Sequence, residues 1–120
     1  PPRSTLFPYT TLFRSVDQGI PFMSWIASQM RYKAADQELN ELYGEAMRSL
    51  SDEGKKKLED AQNAWLRYRA ASLAFITEVN RKTGSTGNVI IEDYRVTLTR
   101  KRVAELKYAL KGSDAGPAEW

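Results

Sequence analysis

One stretch in the middle of the chain has residue types and spacing that could do chemistry. An amide, an indole, a phenol and a guanidinium follow one another at short intervals: Gln62, Trp65, Tyr68 and Arg69. Gln62 and Trp65 lie three residues apart, and Trp65 lies three residues from Tyr68 and four from Arg69. This spacing places the set along one side of a helix. Such groups can pack, stack or hold an anion. The stretch therefore predicts a particular helical packing arrangement or a binding surface, and it does not predict a reaction.

The composition of the chain excludes several kinds of site. The 120 residues include no His and no Cys, which removes disulfides, thiolate nucleophiles, the usual zinc ligand sets and the commonest general base. No glycine-rich phosphate loop and no GxSxG sequence occurs. We therefore expect no enzyme, with no catalytic residue, no metal and no cofactor. No apolar run approaches the ~20 residues of a transmembrane helix.

The first residues of the chain have an unusual origin. The stretch PPRSTLFPYTTLFRS matches, in one reading frame, a translation of the universal adapter used in short-read DNA sequencing. We therefore expect residues 1–15 to be adapter-derived and not native, and they carry no weight in fold reasoning. Without Arg3 and Arg14 the basic residues fall from 18 to 16 against 15 acidic ones, so the net charge falls from +3 to +1. That balance predicts neither nucleic-acid binding nor attraction to an acidic membrane.

The remaining sequence predicts an all-α fold, with an antiparallel helical hairpin and a third helix in a small three-helix bundle. Apolar residues at steps of three and four predict helices over about 21–50, 52–82 and 91–111. We expect a single domain over residues 16–111. The tail, residues 112–120, has turn-forming residues and no periodicity, and we expect it to be disordered.

Local signals mark the helix boundaries. Ser51 is placed to cap the second helix with its hydroxyl, and Asp52 and Glu53 follow where the helix dipole favours anions. Four-residue spacing predicts exposed pairs of Asp52 with Lys56 and of Glu53 with Lys57.

The sequence GSTGN at residues 84–88 has the composition of a turn between the second and third helices. Gly84 is well placed to end a helix in the left-handed conformation. Residues 89–91 have the alternative of forming a short extended piece.

The second helix carries a predicted heptad seam that would pack against the first helix. Its members alternate steps of three and four: Leu58, Ala61, Trp65, Tyr68, Ser72, Phe75 and Val79.

Polar residues are expected along the margins of this seam. Because the break at Ser51 is so short, the first two helices must run antiparallel. That arrangement brings Asp36 near Arg69 and Asn40 next to Gln62, so we predict an ion pair and a polar contact there.

Two interpretations of these polar residues stay open. In the first they fix the register of the helices, since partly buried charges need each other to offset desolvation. In the second, Arg69 forms a cationic groove for an anionic ligand, together with Arg67 and Arg102. The run Arg67–Tyr68–Arg69 also has a basic-aromatic pattern, but the near-zero net charge argues against nucleic acid.

Three stretches of the chain together resemble the LprI-like lysozyme-inhibitor domain of bacteria. They read ADQELNELYGEAMRSLS, then LEDAQNAWLRYRAASLAF, then, after a glycine-containing linker, LTRKRVAEL. The resemblance spans roughly residues 29–106. Its signature residues, to which it gives a structural or binding role, are Asp36, Asn40, Tyr43, Gln62, Trp65, Arg69, Thr99 and Arg102.

The resemblance implies a bacterial envelope protein, periplasmic or anchored as a lipoprotein, that inhibits lysozyme by protein–protein binding. The partner would be lysozyme or another envelope protein. The turn near Ser51 and the 84–88 loop are the segments that would enter an enzyme cleft, unless they are only connectors. The alternative function is a non-inhibitory helical interaction module, which would need an exposed apolar stripe on the first or third helix.

This chain departs from the resemblance at its missing cysteines. Relatives usually carry cysteines where Ser72 and Tyr94 stand, and a third near Ala27. The resemblance thus implies that a disulfide contributing a few kcal/mol has been lost. The apolar seam, with Trp65 and Phe75, would have to compensate.

Overall fold

Three helices make up the part of the protein that can be described. In the computed structural model α1 is Val16–Ser49, α2 is Asp52–Val79 and α3 is Gly84–Lys111. No strand occurs between residues 16 and 111. The prediction of an all-α fold built as a small helical bundle is confirmed.

The structure describes residues 16–111. The predictions of an adapter-derived segment at residues 1–15 and of a disordered tail at residues 112–120 lie outside the described residues. None of the described helices is both long and apolar enough to cross a bilayer.

The start of α2 follows the predicted cap. The Ser51 hydroxyl oxygen accepts a hydrogen bond from the Gly54 backbone N–H at 3.1 Å, which satisfies one of the donors left open at a helix start. Asp52 and Glu53 occupy the first turn, where the helix dipole stabilises carboxylates.

The exposed ion pairs of α2 follow the prediction only in part. Glu53 lies 3.4 Å from Lys57 as expected, whereas Lys56 lies 2.8 Å from Asp60 and not against Asp52. Lys56 Nζ donates a hydrogen bond to the Asp60 carboxylate, and this bond, with the negative charge of Asp60, raises the pKa of Lys56 above the ordinary value of 10.5. Because these side chains are exposed, the pairs contribute little to stability.

The connection between α2 and α3 lies earlier than predicted. Residues 80–83 form it, and α3 already begins at Gly84. The predicted turn at residues 84–88 is therefore wrong, and so is the extended alternative for residues 89–91, since both stretches are helical. Gly84 does adopt the expected left-handed conformation, with φ at 67°, but it opens α3 instead of ending α2.

Gly87 allows α3 to start close against this connection. A Cβ atom at position 87 would lie 2.9 Å from the carbonyl oxygen of Asn80 and 3.0 Å from Cβ of Thr83. Because the first of these atoms belongs to the backbone, a side chain at position 87 would push the connection away from the helix.

The helices share their contacts unequally. α1 and α3 run parallel and have the most extensive contact: Ser28 donates a hydrogen bond to Asp93, and further along Lys107 lies 2.8 Å from Glu38. α1 and α2 form the predicted antiparallel hairpin, joined through residues 50–51, yet they share the least contact.

The apolar core lies where the middle of α1 meets α3. The buried residues of the core are Leu39, Val103 and Leu106. The partly buried side chains packed against them are Leu42, Leu58 and Trp65. The N-terminal half of α2 thus reaches the core through only two of these side chains, so other contacts must fix the orientation of that helix.

The predicted seam of α2 is turned away from the bundle over much of its length. Tyr68, Phe75 and Val79 are 55, 66 and 61% exposed, while Gln62 is buried and Arg69 is largely so. The inward face is thus rotated by about one residue, or ~100°, from the predicted one. Hydrophobic periodicity missed this because the inward face carries polar groups with partners on other helices.

Candidate functional site

Arg69 of α2 lies where all three helices meet. Its Nη1 donates hydrogen bonds to Oδ1 of Asp36 on α1 at 3.3 Å and to Oγ1 of Thr99 on α3 at 3.0 Å. The predicted ion pair with Asp36 is therefore present, with the Arg69 side chain only 14% exposed. A single guanidinium joins the three helices, which explains how α2 holds its orientation with little apolar contact to α1.

Thr99 completes this junction. Its fully buried hydroxyl accepts from Arg69 and donates to the Arg95 carbonyl oxygen one turn earlier, at 2.9 Å. The hydroxyl therefore uses both its proton and a lone pair inside the protein. A buried polar group satisfied in this way carries no desolvation penalty that a ligand would have to relieve.

Guanidinium groups and aromatic rings alternate on either side of Arg69. Its Cζ lies 4.7 Å from the ring centroid of Trp65 and 5.5 Å from that of Tyr32. Arg95 packs on Tyr32 at 5.0 Å, and Arg102 packs on Trp65 at 5.9 Å. Each distance is within the ~6 Å of a cation–π contact. We call this series, in the order Arg95, Tyr32, Arg69, Trp65 and Arg102, the Arg–aromatic ladder.

The Arg102 end of the ladder is closed by polar partners. Nε of Arg102 donates to the amide oxygen of Gln62 at 3.0 Å, and Nη1 donates to Glu105 at 3.2 Å. The predicted contact between Asn40 and Gln62 is wrong: Asn40 is exposed, and Gln62 bonds to α3 instead. The rotation of α2 explains the error, since it turns Gln62 from the first helix towards the third.

Most of the signature residues belong to this one network of ladder and polar partners. The members are Asp36, Gln62, Trp65, Arg69, Thr99 and Arg102. Asn40 and Tyr43 do not take part: Asn40 is exposed and Tyr43 is half-buried elsewhere on α1. Six residue types chosen from sequence alone are thus brought together in space, although this arrangement does not by itself assign them a binding role.

Sequence reasoning missed Tyr32 and Arg95. A signal for Arg95 was available, because it precedes Thr99 by four residues and Arg102 by seven. That spacing puts all three on one face of a helix. No pattern in the sequence singled out Tyr32.

The charges of the network balance. Arg69 pairs with Asp36, Arg102 with Glu105 at 3.2 Å, and Arg95 with Glu92 at 3.7 Å. The alternative of a cationic groove for an anion is therefore not supported, because its central guanidiniums are buried against carboxylates. Arg67, the third member of that groove, is simply exposed.

The arrangement favours holding helices together over doing chemistry. Between residues 23 and 111 no group of three carboxylates, with or without other ligands, is placed to hold a metal ion. The polar groups at the centre of the ladder point at one another, and the Asp36 carboxylate there accepts a hydrogen bond from Arg69. The fold and the site thus define a small all-α protein whose most distinctive residues build its scaffold.

Comparison with known protein families identifies this scaffold. The chain matches the family described as lysozyme inhibitor LprI over residues 25–106, and it belongs to that family. The resemblance expected from the sequence is confirmed. A comparison with curated proteins gives no match, and neither does a comparison with solved structures.

Proposed function

We propose that this protein binds lysozyme and inhibits it. The observation that carries the proposal is the family match, which extends over most of α1, all of α2 and most of α3. We also propose an envelope location, either periplasmic or lipoprotein-anchored, because the family is one of bacterial envelope proteins. Inhibition by binding agrees with a site whose polar groups are engaged in scaffold contacts and not poised for a reaction.

Within residues 16–111, the surface available for contact with an enzyme is almost entirely helical. The segment at residues 84–88, expected to be a loop that enters a cleft, is helical. The connection at residues 50–51 is only a tight turn, and residues 80–83 form the other short connection. Because the connections between residues 16 and 111 are this short, we propose that a rigid face of the bundle covers or blocks the cleft, since pre-formed surfaces lose little entropy on binding.

The inhibition is tested with the purified chain and lysozymes of the c type and the g type. The rate of hydrolysis of bacterial cell walls should fall in proportion to the fraction of enzyme that is bound. The rate should reach a constant low value as the concentration of the inhibitor increases. If a roughly hundred-fold molar excess of the chain leaves the rates of both enzymes unchanged, inhibition of those enzymes is ruled out.

A matched pair of variants would locate the contact. The double variant Tyr68→Ala/Phe75→Ala removes exposed aromatic surface from α2, and Ile90→Ala, at a residue 42% exposed, removes a smaller area of exposed apolar surface from α3. Because aromatic side chains are enriched in interfaces, loss of inhibition in the first variant alone would place the contact on α2. Equal inhibition by both variants would place it elsewhere.

A second candidate function is a helical interaction module without inhibitory activity. The exposed side chains Tyr68, Phe75 and Val79 favour it, because contiguous exposed apolar surface marks interaction sites. Such a stripe was expected on the first or third helix, whereas the side chains that support the module here lie on α2. Light scattering on the purified chain separates the candidates: self-association that disappears in Phe75→Ala without any lysozyme inhibition would favour the module.

A further inference from the structure

A groove lies between α1 and α3 beside the Arg95 end of the ladder. Its cavity volume is about 360 Å³. The lining residues that matter to its chemistry are Gln29, Met30, Tyr32, Lys33, Glu92 and Arg95. The wall thus combines apolar surface with one carboxylate, one amide and two cations.

Two residues that line this groove each have a buried polar atom without a partner. Oε1 of Glu92 and Nε of Arg95 make no hydrogen bond, although Glu92 is only 8% exposed. The closest approach of the two side chains, from Arg95 Nη2 to Glu92 Oε2, is 3.7 Å, which is longer than a hydrogen bond. Since buried polar atoms are nearly always satisfied, one acceptor and one donor are left here for another group.

A second groove between the same helices provides a comparison. It has a volume of about 390 Å³ and is lined by Glu45, Ser49 and Lys107 among others. Its carboxylate is exposed, and the described residues around it contain no buried polar atom without a partner. The two grooves thus have similar sizes and lie between the same two helices, but only the first is lined by residues with unsatisfied buried polar atoms, Glu92 and Arg95.

The unmet groups select a neutral ligand rich in hydroxyls. A hydroxyl both donates and accepts, so one placed between Glu92 and Arg95 satisfies both at once. An anion would face the Glu92 carboxylate, and a cation would face Arg95 and Lys33. The terminal torsion of a Glu side chain has broad minima, so Oε1 can turn towards a ligand.

We propose that this groove binds a saccharide. The sugar hydroxyls pair with Glu92 and Arg95, Gln29 and Lys33 make further polar contacts at the rim, and the exposed Met30 side chain packs on the carbon face of the ring. The proposal goes beyond lysozyme inhibition and does not depend on it.

The test is a titration of the ¹⁵N-labelled full chain, followed by NMR, with no lysozyme present. The probes are a β-1,4-linked trisaccharide of glucose and one of N-acetylglucosamine. We expect saturable shifts of the backbone amide signals of Gln29, Glu92 and Arg95, and of the side-chain N–H signals of Gln29 and Arg95, with at least one probe, and none at Glu45. No saturable binding of either sugar up to about 10 mM would overturn the proposal. Shifts of the same size with acetamide alone would also overturn it, since they would show a site for a single carboxamide.

Substitutions in the two grooves sharpen the test. Glu92→Ala should weaken sugar binding roughly tenfold, because it removes a charged hydrogen-bond acceptor. Gln29→Ala, at an exposed position that cannot affect folding through burial, should weaken binding by a smaller factor. Glu45→Ala in the second groove is the matched control and should leave affinity unchanged within about twofold. Unchanged binding in both Glu92→Ala and Gln29→Ala would contradict the proposed site.

Discussion

Two parts of α2 behave differently although one periodic pattern runs through both. In the part up to Arg69, Gln62 is buried and Arg69 is largely so, with partners on α1 and α3. In the part beyond Arg69, Phe75 and Val79 are exposed to solvent. Hydrophobic spacing therefore predicts that α2 is a helix, while paired polar groups decide which of its faces turns inward.

The physical reason is directionality. Apolar burial depends on area and tolerates many orientations of a helix. A guanidinium that leaves water needs partners at defined distances, because an unpaired buried charge is strongly unfavourable. Arg69 finds such partners on two helices at 3.3 and 3.0 Å, so it fixes the rotation of α2 where the apolar seam cannot.

The largest expected effect comes from a substitution in the buried part of α2. Arg69→Ala removes two hydrogen bonds and two ring contacts and leaves the Asp36 carboxylate unpaired, so it should lower the free energy of unfolding by about 3 kcal/mol. Urea denaturation measures the change. The control is Arg67→Ala, which removes an exposed guanidinium two residues away and should leave stability within about 0.5 kcal/mol of the parent. Equal losses in the two variants would show that the ladder has no special role.

The next effect concerns the connection between α2 and α3, which lies close against Gly87. Gly87→Ala should destabilise by about 1–3 kcal/mol, because the new Cβ would crowd the Asn80 carbonyl oxygen at 2.9 Å. Gly44→Ala is the matched control: the nearest atom to its Cβ would be Nη1 of Arg48 at 3.6 Å. That substitution should stabilise by up to about 1 kcal/mol, since alanine favours helix interiors. Thermal melts of both variants check the prediction, and a neutral Gly87→Ala would contradict the close approach.

A substitution in the exposed part of α2, beyond Arg69, is expected to have a smaller effect on stability. Phe75→Ser should change the free energy of unfolding by no more than about 0.5 kcal/mol, because the ring is 66% exposed. If the predicted seam packed against α1 in solution, the loss would instead approach about 3 kcal/mol. Denaturation of this one variant therefore distinguishes the observed face of α2 from the face that periodicity suggested.

The smallest effect belongs to the exposed pair of Lys56 and Asp60. Asp60 raises the pKa of Lys56, so any stability from the pair is present below the unfolded pKa of lysine. It is lost only as the pH rises through the folded pKa, above the ordinary value of 10.5. Between pH 5 and pH 9, roughly the range far below that pKa, the contribution of the pair is fully present, but it is small because both side chains are exposed and screened by solvent. Asp60→Asn should therefore melt like the parent, and a clear drop in its melting temperature would show that this exposed pair does stabilise the protein.

Much of the fold could be predicted from the sequence because its signals are local. The cap at Ser51 and the helix over most of 52–79 depend on neighbouring residues, and they are present. The connection at residues 80–83 was misplaced because the composition of GSTGN suits either a turn or a helix start. The start of α3 at Gly84 goes with a tertiary contact, the close approach of Gly87 to Asn80, that no local signal indicates.

The contacts of the site could be predicted where they depend only on the arrangement of two helices, α1 and α2. Asp36 and Arg69 were paired correctly from the antiparallel register of α1 and α2 alone. Gln62 was paired wrongly, and Tyr32 was missed, because their contacts depend on where α3 lies and on the rotation of α2. Neither quantity follows from periodicity, since periodicity says which residues share a face but not which neighbour that face meets.

A double-mutant cycle on Asp36 and Arg69 tests most directly the claim that the signature residues act as one network. Denaturation of Asp36→Ala, Arg69→Ala and the double variant gives the coupling free energy between the two side chains. The network predicts a coupling of at least about 1 kcal/mol, because once one partner is absent the second substitution removes little more. Losses that add within about 0.3 kcal/mol would contradict it.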